Sequence, residues 1–329
     1  MLDLDVQQES WPIAGTFAIS RGSRTSAEVV VVTLTDPRSG KRGRGECVPY
    51  ARYGESVEGV AAELKAFTPA LASGRIDRIA LQSAMPPGAA RNALDCAFWD
   101  LEAKDRGRHA WDLAGLERPG PLTTAETLSL DTPEKMAAQA IGKVGCPLLK
   151  IKLGSEGALA RVAAIRAARP DATLIVDANE ALPPDELVRI LEALAELGVA
   201  MVEQPLPAGE DDLLAGIVSP IPLCADESSH TVKDIPRLAK LYSMVNVKLD
   251  KTGGLTEAMA MVKAAEAAGL KLMIGCMVGT SLGMAPAYLL GSRATYVDLD
   301  GPVILAKDRD FGLSYSHGRV LPPLPDLWG

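Results

Sequence analysis

Residues 148–154 read LLKIKLG. The leucines and isoleucine mark a short buried strand, yet Lys150 and Lys152 stand two apart, and side chains two apart on a strand point to the same face. A buried ammonium is costly unless it is paired or gives up its charge. The face that carries both lysines is therefore either wet or turned toward something anionic.

The same strand type recurs along the chain after residue 122. Short apolar runs appear at TAETLSL (124–130), TLIVDA (173–178), AMVEQ (200–204), PLCADE (222–227), MVNVKLD (244–250), KLMIGC (271–276) and YVDLD (296–300). Helical stretches rich in alanine and leucine lie between most of them. DELVRILEALAELG (185–198) puts Leu187, Ile190, Leu191, Leu194 and Leu197 on one face before Gly198, and GLTEAMAMVKAAEAAG (254–269) also closes on a glycine. Pro286 interrupts the stretch before the last strand, which reads poorly as a helix. Eight strands alternating with helices at this spacing favour a parallel barrel.

The first third of the chain differs. SAEVVVVTL (26–34) and GRGECVP (43–49) flank the turn DPRSGK, and two amphipathic helices follow at 56–67 and 88–107. A Pro-Gly-Pro break at 119–121 suggests a boundary. The expected division is an α+β domain over 1–118, a barrel over 119–304 and a C-terminal segment over 305–329.

In a parallel α/β barrel the C-terminal strand ends surround one mouth. Those ends carry Lys150 and Lys152, Asp177, Glu203, Asp226, Lys248, Cys276, and Asp298 with Asp300. From Lys152 to Asp298 the steps are 25, 26, 23, 22, 28 and 22 residues, each about one strand-plus-helix unit. Three carboxylates on successive strands suit a hard divalent cation, and Mg2+ is favoured. Zinc would recruit histidine or cysteine, and His109, His230 and His317 do not fall at these ends. A free lysine titrates near ~10.4, so a base at this site needs that value lowered by a nearby cation or by desolvation. Two lysines on opposite walls with a metal between them fit proton removal from a carbon next to a carboxylate, with return from the other face, a 1,1-proton transfer. Taken singly, each group has an ordinary reading: an acid as a helix cap, a lysine as an ion-pair partner, Cys276 as a small buried hydrophobe. The periodic set is what points to chemistry.

KIK at 150, DANE at 177, EQPLP at 203, ADES at 225 and NVKLDKTGG at 246 resemble the enolase superfamily, for which a lysine or histidine base with magnesium is a known pattern. RGSRT at 21, GECVPYARYGES at 45, GAARNALDCAFWDLEAK at 88, LDKTGGLTEA at 249, GCMVGTS at 275 and DLDGP at 298 resemble its L-Ala-D/L-Glu epimerase branch. The resemblance implies a modified TIM barrel, (β/α)7β, with an N-terminal α+β capping domain and a last segment packed back on the cap. It implies Asp177, Glu203 and Asp226 as magnesium ligands, Lys152 and Lys248 as the acid/base pair, and Lys150 at the substrate carboxylate. Asp298 and Asp300 would take a dipeptide ammonium, and Arg24, in a capping loop, the glutamate side-chain carboxylate. Thr124 and Cys276 would be further substrate contacts. Without the resemblance, Arg24 reads as a solvated loop charge. The implied activity is inversion at the glutamate α carbon, in the recovery of murein peptides. Other lysine-lysine members, an o-succinylbenzoate synthase or a muconate-cycloisomerase-like enzyme, act on substrates without an ammonium, which the paired acids disfavour. Dipeptide epimerases of other side-chain specificity stay open.

Composition agrees with a small-molecule partner. The net charge of −8 and 4% aromatic content disfavour nucleic acid. No apolar run reaches membrane-spanning length, the opening MLDLDVQQES has no apolar core of a signal peptide, and five scattered cysteines suggest reduced thiols, so the expected location is cytoplasmic. A homo-oligomer is compatible with all of this.

Overall fold

The computed structural model describes residues 2–19, 22–154 and 156–329. Strands β1 (Asp3–Ile19), β2 (Gly22–Thr35) and β3 (Arg42–Cys47) form an antiparallel sheet in sequence order. The turn DPRSGK joins β2 to β3, with Val30 opposite Cys47 and Thr35 opposite Arg42. The long first strand escapes the sequence reading, because its alternation is broken by polar residues and by an irregularity between Pro12 and Phe17.

One face of this sheet packs on the helix Ala89–Arg106, which ends at Gly107 in the left-handed region. The approach is close because β3 offers glycines. A Cβ at Gly43 would lie 2.2 Å from the Ala97 carbonyl oxygen, and one at Gly45 would lie 2.0 Å from that of Ala93. No side chain fits there without moving backbone. Val30, Val32, Leu34, Leu94 and Phe98 fill the resulting cap core.

The second layer begins after β4 (Leu122–Thr123). Strands β5 (Glu126–Leu128), β6 (Leu148–Lys152), β7 (Thr173–Asp177), β8 (Val199–Glu203), β9 (Leu223–Ala225), β10 (Met244–Lys248), β11 (Lys271–Gly275) and β12 (Tyr296–Asp298) pair in parallel, each with the next. The seam between β12 and β5 is closed by the Ala125 amide, which donates to the Val297 carbonyl at 2.7 Å, and by the Leu299 amide, which donates to Thr124 Oγ1 at 2.9 Å. Residues facing outward, such as Leu149, Ile151, Leu174 and Val176, join the large core under the helices. Residues facing inward form a dry lower layer of Leu148, Ile175, Met201, Cys224, Met244 and Met273.

Two connections are shorter than the helices expected. Between β8 and β9 lies only the 3-10 turn Asp211–Leu214, and between β9 and β10 the helix Ile235–Leu238 spans a single turn. Prolines at 205, 207, 220 and 222 break the first of these. The stretch around Pro286 does form a helix, Ser281–Tyr288, buried along its length. Tyr288 holds its end by donating from its hydroxyl to the carbonyls of Gly120 and Val320, at 2.7 and 3.0 Å.

After the barrel, strands β13 (Tyr315–Ser316) and β14 (Arg319–Val320) form a hairpin, and β14 pairs with β4. The last residues return to the cap: Trp328 Nε1 donates to the Cys96 carbonyl at 3.0 Å, and the Gly329 amide donates to Asp100 Oδ1 at 2.8 Å. A second clasp ties the cap to the barrel rim, where Asp250 Oδ1 accepts from the Val48 amide and from Asn92 Nδ2, at 3.0 and 2.8 Å.

The glycine contacts in β3 make a direct test of the cap. Gly45→Ala forces the strand off its helix and is expected to cost about 3 kcal/mol, the upper end for overpacking. Urea unfolding of the variant checks this; an unchanged midpoint would contradict the packing described.

Candidate functional site

Inside the barrel, two residues above the dry layer on β6 through β10, the side chains turn polar. Lys150 stands above Leu148, Asp177 above Ile175, Glu203 above Met201, Asp226 above Cys224, and Asn246 above Met244. Strand alternation thus answers the problem of the lysines: the inward face of β6 begins dry and ends charged. Lys150 is 1% exposed, and Asp177 and Glu203 are fully buried.

The carboxylates of Asp177, Glu203 and Asp226 each offer an oxygen, and these lie within 4.8 Å of one another. Lys150 Nζ sits among them, 3.1 Å from Asp177, 2.7 Å from Glu203 and 2.8 Å from Asp298. Lys152 donates to Asp177 Oδ2 and Lys248 to Asp226 Oδ2, each at 2.6 Å. Strands β6 and β10 lie four apart in an eight-stranded ring, so Lys152 and Lys248 approach from opposite walls.

The electrostatics follow from crowding. Burial pushes Glu203 up to about 7, helped by the Asp177 charge and opposed by Lys150. Burial acts the same way on Asp177 and Asp226, but the lysines outweigh it: Lys150 and Lys152 hold Asp177 low, and Lys248 and Lys251 hold Asp226 low. Burial would lower Lys150 and Lys248. The surrounding carboxylates, Asp177 first for Lys150 and Asp226 first for Lys248, instead raise both well above the ordinary range. Of the two means of lowering Lys248, a nearby cation or desolvation, desolvation is outweighed by the acids around it. Only a cation that occupies the carboxylates could release the lysines.

The oxygen triad fits such a cation. All three donors are hard oxygens, and Glu203 Oε2, although 2.7 Å from the Lys150 ammonium, receives no hydrogen bond of sound geometry. Neighbouring groups fix the triad. Asn246 Nδ2 donates to Glu203 Oε1 at 2.6 Å. The Gln204 side-chain oxygen accepts from the amides of Asp226 and Ser228 at 2.9 and 3.2 Å, bridging β8 to β9. Gln204, Asn179 and Glu180 all have positive φ, at 35°, 44° and 70°. Strained backbone of this kind persists only where surrounding contacts impose it.

Above the triad a cavity of about 180 Å³ opens toward the cap. Arg24, Lys150, Lys152, Asp226, Lys248, Cys276, Asp298 and Asp300 line it. Arg24 is exposed and belongs to β2, opposite Phe17, so it stands on a hairpin strand and not in a loop; its guanidinium lies 5.5 Å from the Tyr50 ring centroid. The strand pairing runs further toward the tip than the run SAEVVVVTL (26–34) indicates. Arg21 of the same stretch lies outside the described residues. Cys276 stays a neutral thiol, its pKa pushed up by burial. Asp300 is pushed up to about 6 by burial and by the Asp298 charge, a pair that an ammonium between them would relieve.

Thr124 is the exception. It is fully buried at the barrel seam, outside the cavity, with its hydroxyl accepting from Leu299. Thr127 lines the cavity instead, and its amide donates to Asp300 Oδ2 at 2.6 Å. The short strand β5 is phased later in TAETLSL than the apolar pattern indicates. Tyr53, Asn179, Glu227, Phe17 and Ile304 also line the cavity, and the sequence does not single them out. Asn179 and Glu227 sit two and one residues past metal-triad acids, a spacing that could have revealed them.

Taken together, the site can hold a divalent cation beneath a carboxylate, with an amine on each side of the carbon next to it.

Comparison with known proteins agrees. Residues 134–323 match the family described as enolase C-terminal domain-like, and residues 1–115 the mandelate racemase / muconate lactonizing enzyme N-terminal domain. An L-Ala-D/L-Glu epimerase from Escherichia coli is 47% identical over 97% of this chain and 99% of its own. An N-acetyl-D-glutamate racemase from a Pseudoalteromonas species is 45% identical over 92% of this chain and 95% of its own. Among solved structures, an enolase family member from Agrobacterium tumefaciens with homology to dipeptide epimerases, with bound sodium and L-Ala-L-Glu, superposes with a TM-score of 0.97 at 50% identity, covering all of both chains. A dipeptide epimerase from Enterococcus faecalis complexed with Mg and L-Leu-L-Tyr has a TM-score of 0.89 at 30% identity, over 97% of this chain and 96% of its own.

Removing a group that orients a metal ligand typically weakens binding about 10- to 100-fold. Asn246→Ala should therefore bind Mg2+ at least about tenfold more weakly in a calorimetric titration without substrate. Unchanged affinity would mean that Glu203 needs no such support.

Proposed function

The chain belongs to the enolase superfamily, and from that premise we propose that it is a magnesium-dependent dipeptide epimerase that inverts the glutamate α carbon of Ala-Glu. The observation that carries this reading is the placement of Lys152 and Lys248 on opposite walls of one cavity, above three carboxylates that can share an ion.

In this reading Asp177, Glu203 and Asp226 hold Mg2+. When bound, the cation supplies positive charge beside the substrate carboxylate, which stabilises the enediolate formed on loss of the α proton. Lys150, buried among the acids, adds a fixed ammonium on that carboxylate and orients it. Lys152, deprotonated, takes the α proton from one face, while Lys248, protonated, delivers one to the other. The reverse direction exchanges their roles. Each turnover leaves the lysines with exchanged protonation states, which solvent resets.

Recognition of the two ends follows from charge. The paired carboxylates Asp298 and Asp300 suit an ammonium by charge-assisted hydrogen bonds, and the Arg24 guanidinium suits a carboxylate in bidentate fashion. Those features favour Ala-Glu over substrates lacking an amine. Cys276 contributes a neutral wall. We also read the chain as a cap over 1–118, a barrel over 119–304 and a returning segment over 305–329, supported by the sheet order and by the contacts of Trp328 and Gly329. A role in recovering murein peptides, in the cytoplasm, fits the substrate class; no helix of the described residues is long and apolar enough to cross a membrane.

The test is incubation with Ala-Glu and Mg2+ in heavy water. Deuterium should enter the glutamate α position as the epimer forms, and chelation should stop it. Lys152→Ala and Lys248→Ala should each reduce epimerisation by at least about 10³-fold, within the range of lost acid–base catalysis, with an unchanged far-UV circular dichroism spectrum. Near-normal turnover in either variant contradicts the two-base mechanism; no deuterium uptake by the wild type rejects the substrate.

A further inference from the structure

Outside the reacting groups, one heavily bonded buried acid is Glu46, near the end of β3. It is 1% exposed. Its Oε1 accepts from the Thr280 amide at 2.8 Å, and its Oε2 accepts from the Thr280 hydroxyl. Arg309, from the segment that follows the barrel, donates to the same Oε2 from Nη2 at 2.8 Å and from Nε at 3.1 Å. The Arg309 Nε also donates to Thr280 Oγ1 at 2.6 Å, and Nη2 donates to Glu9 Oε2 at 2.6 Å on β1. Next door, Asp308 accepts from the amide of Ser281 at 3.0 Å and from its hydroxyl. A cap strand, the loop after β11 and the C-terminal segment thus meet on one buried carboxylate.

That loop is the cavity wall. Cys276, Met277 and Val278 line the cavity, as does Val48, two residues past Glu46 and just beyond the end of β3. Contact is close on both sides of the loop. A Cβ at Gly279 would sit 3.0 Å from Glu46 Oε1 and 3.0 Å from Val48 Cγ2; a Cβ at Gly301 would sit 3.0 Å from the Met277 carbonyl and 3.2 Å from the Gly279 amide nitrogen. Gly301 directly follows Asp300. The path from Glu46 to the paired carboxylates therefore runs through one rigid, tightly packed loop.

A buried carboxylate that touches neither substrate nor cation is costly to keep unless its bonds do something an apolar side chain could not. We propose that Glu46, gripped by Thr280 and Arg309, is a positioning residue that sets the 276–280 loop against Asp300 and so governs affinity for the ammonium end of the substrate. The inference rests on the dipeptide reading of the site. Loosening the loop displaces a wall and an ammonium partner, both engaged in ground state and transition state alike. Loss of such uniform binding appears in KM and leaves kcat largely in place.

Steady-state kinetics on Ala-Glu test this with three variants. Glu46→Gln removes the charge and turns an amide N–H toward donors; it should raise KM about tenfold, the equivalent of one lost charge-assisted contact, while kcat changes less than about threefold. Thr280→Val removes only the hydroxyl that Glu46 and Arg309 share and should act in the same direction. Thr280→Ser keeps that hydroxyl and should restore KM to the wild-type value. Should Glu46→Gln fail to fold, the Val and Ser pair decides alone. Lowered thermal stability in Thr280→Val with wild-type KM overturns the inference and leaves Glu46 a packing contact. Wild-type protein without dipeptide turnover overturns the functional reading itself, and this inference with it.

Discussion

Three carboxylates packed within 4.8 Å of one another, away from water, repel unless positive charge lies between them. The barrel solves this by importing ammonium groups on neighbouring and opposing strands. Lys150 bridges Asp177, Glu203 and Asp298, Lys152 binds Asp177, and Lys248 and Lys251 bind Asp226. Net charge in the layer is thereby kept near balance, but the carboxylates hold Lys150 and Lys248 well above the ordinary lysine range. A divalent ion that takes over the acids would replace that balance and free amines to exchange protons. The same carboxylates thus serve to bury the lysines and to hold the ion that would activate them.

Such a layer depends on what lies below and above it. Below, Leu148, Ile175, Met201, Cys224, Met244 and Met273 exclude water from the barrel floor. Above, the cap supplies Arg24, Phe17 and Tyr53 to the cavity and is tied to the rim at Asp250 and at Glu46. The C-terminal segment fastens both, through Arg309 near the site and Trp328 at the back of the cap. The chemistry sits on strands, and selectivity sits on the seam between two layers.

Legibility in the sequence follows this division. Strand ends could be read because one polar group recurs per strand-plus-helix unit, and strand alternation then sends it inward, as with Asp177, Glu203, Asp226 and Lys248. Where an element is short the phase is lost: β5 has three residues, and Thr127, not the expected contact Thr124, lines the cavity. Arg24 could be tied to the site by resemblance but not to a strand, since pairing across the hairpin depends on β1. The ionisation of Lys248 is not legible, because burial alone lowers it, whereas the neighbouring acids, brought together by folding, reverse the sign. Glu46 was wholly illegible: its partners Thr280 and Arg309 lie 234 and 263 residues away, and no local pattern predicts that meeting.

The most direct measurement of the central claim is isotope exchange by single-lysine variants. Each pure epimer of Ala-Glu would be held with Lys152→Ala or Lys248→Ala and Mg2+ in heavy water, and the α position followed by NMR. If the two amines face opposite sides of the carbon, each variant exchanges the α proton of one epimer only, and the two variants choose opposite epimers. Exchange of the same epimer by both variants would put the lysines on one face and contradict the account.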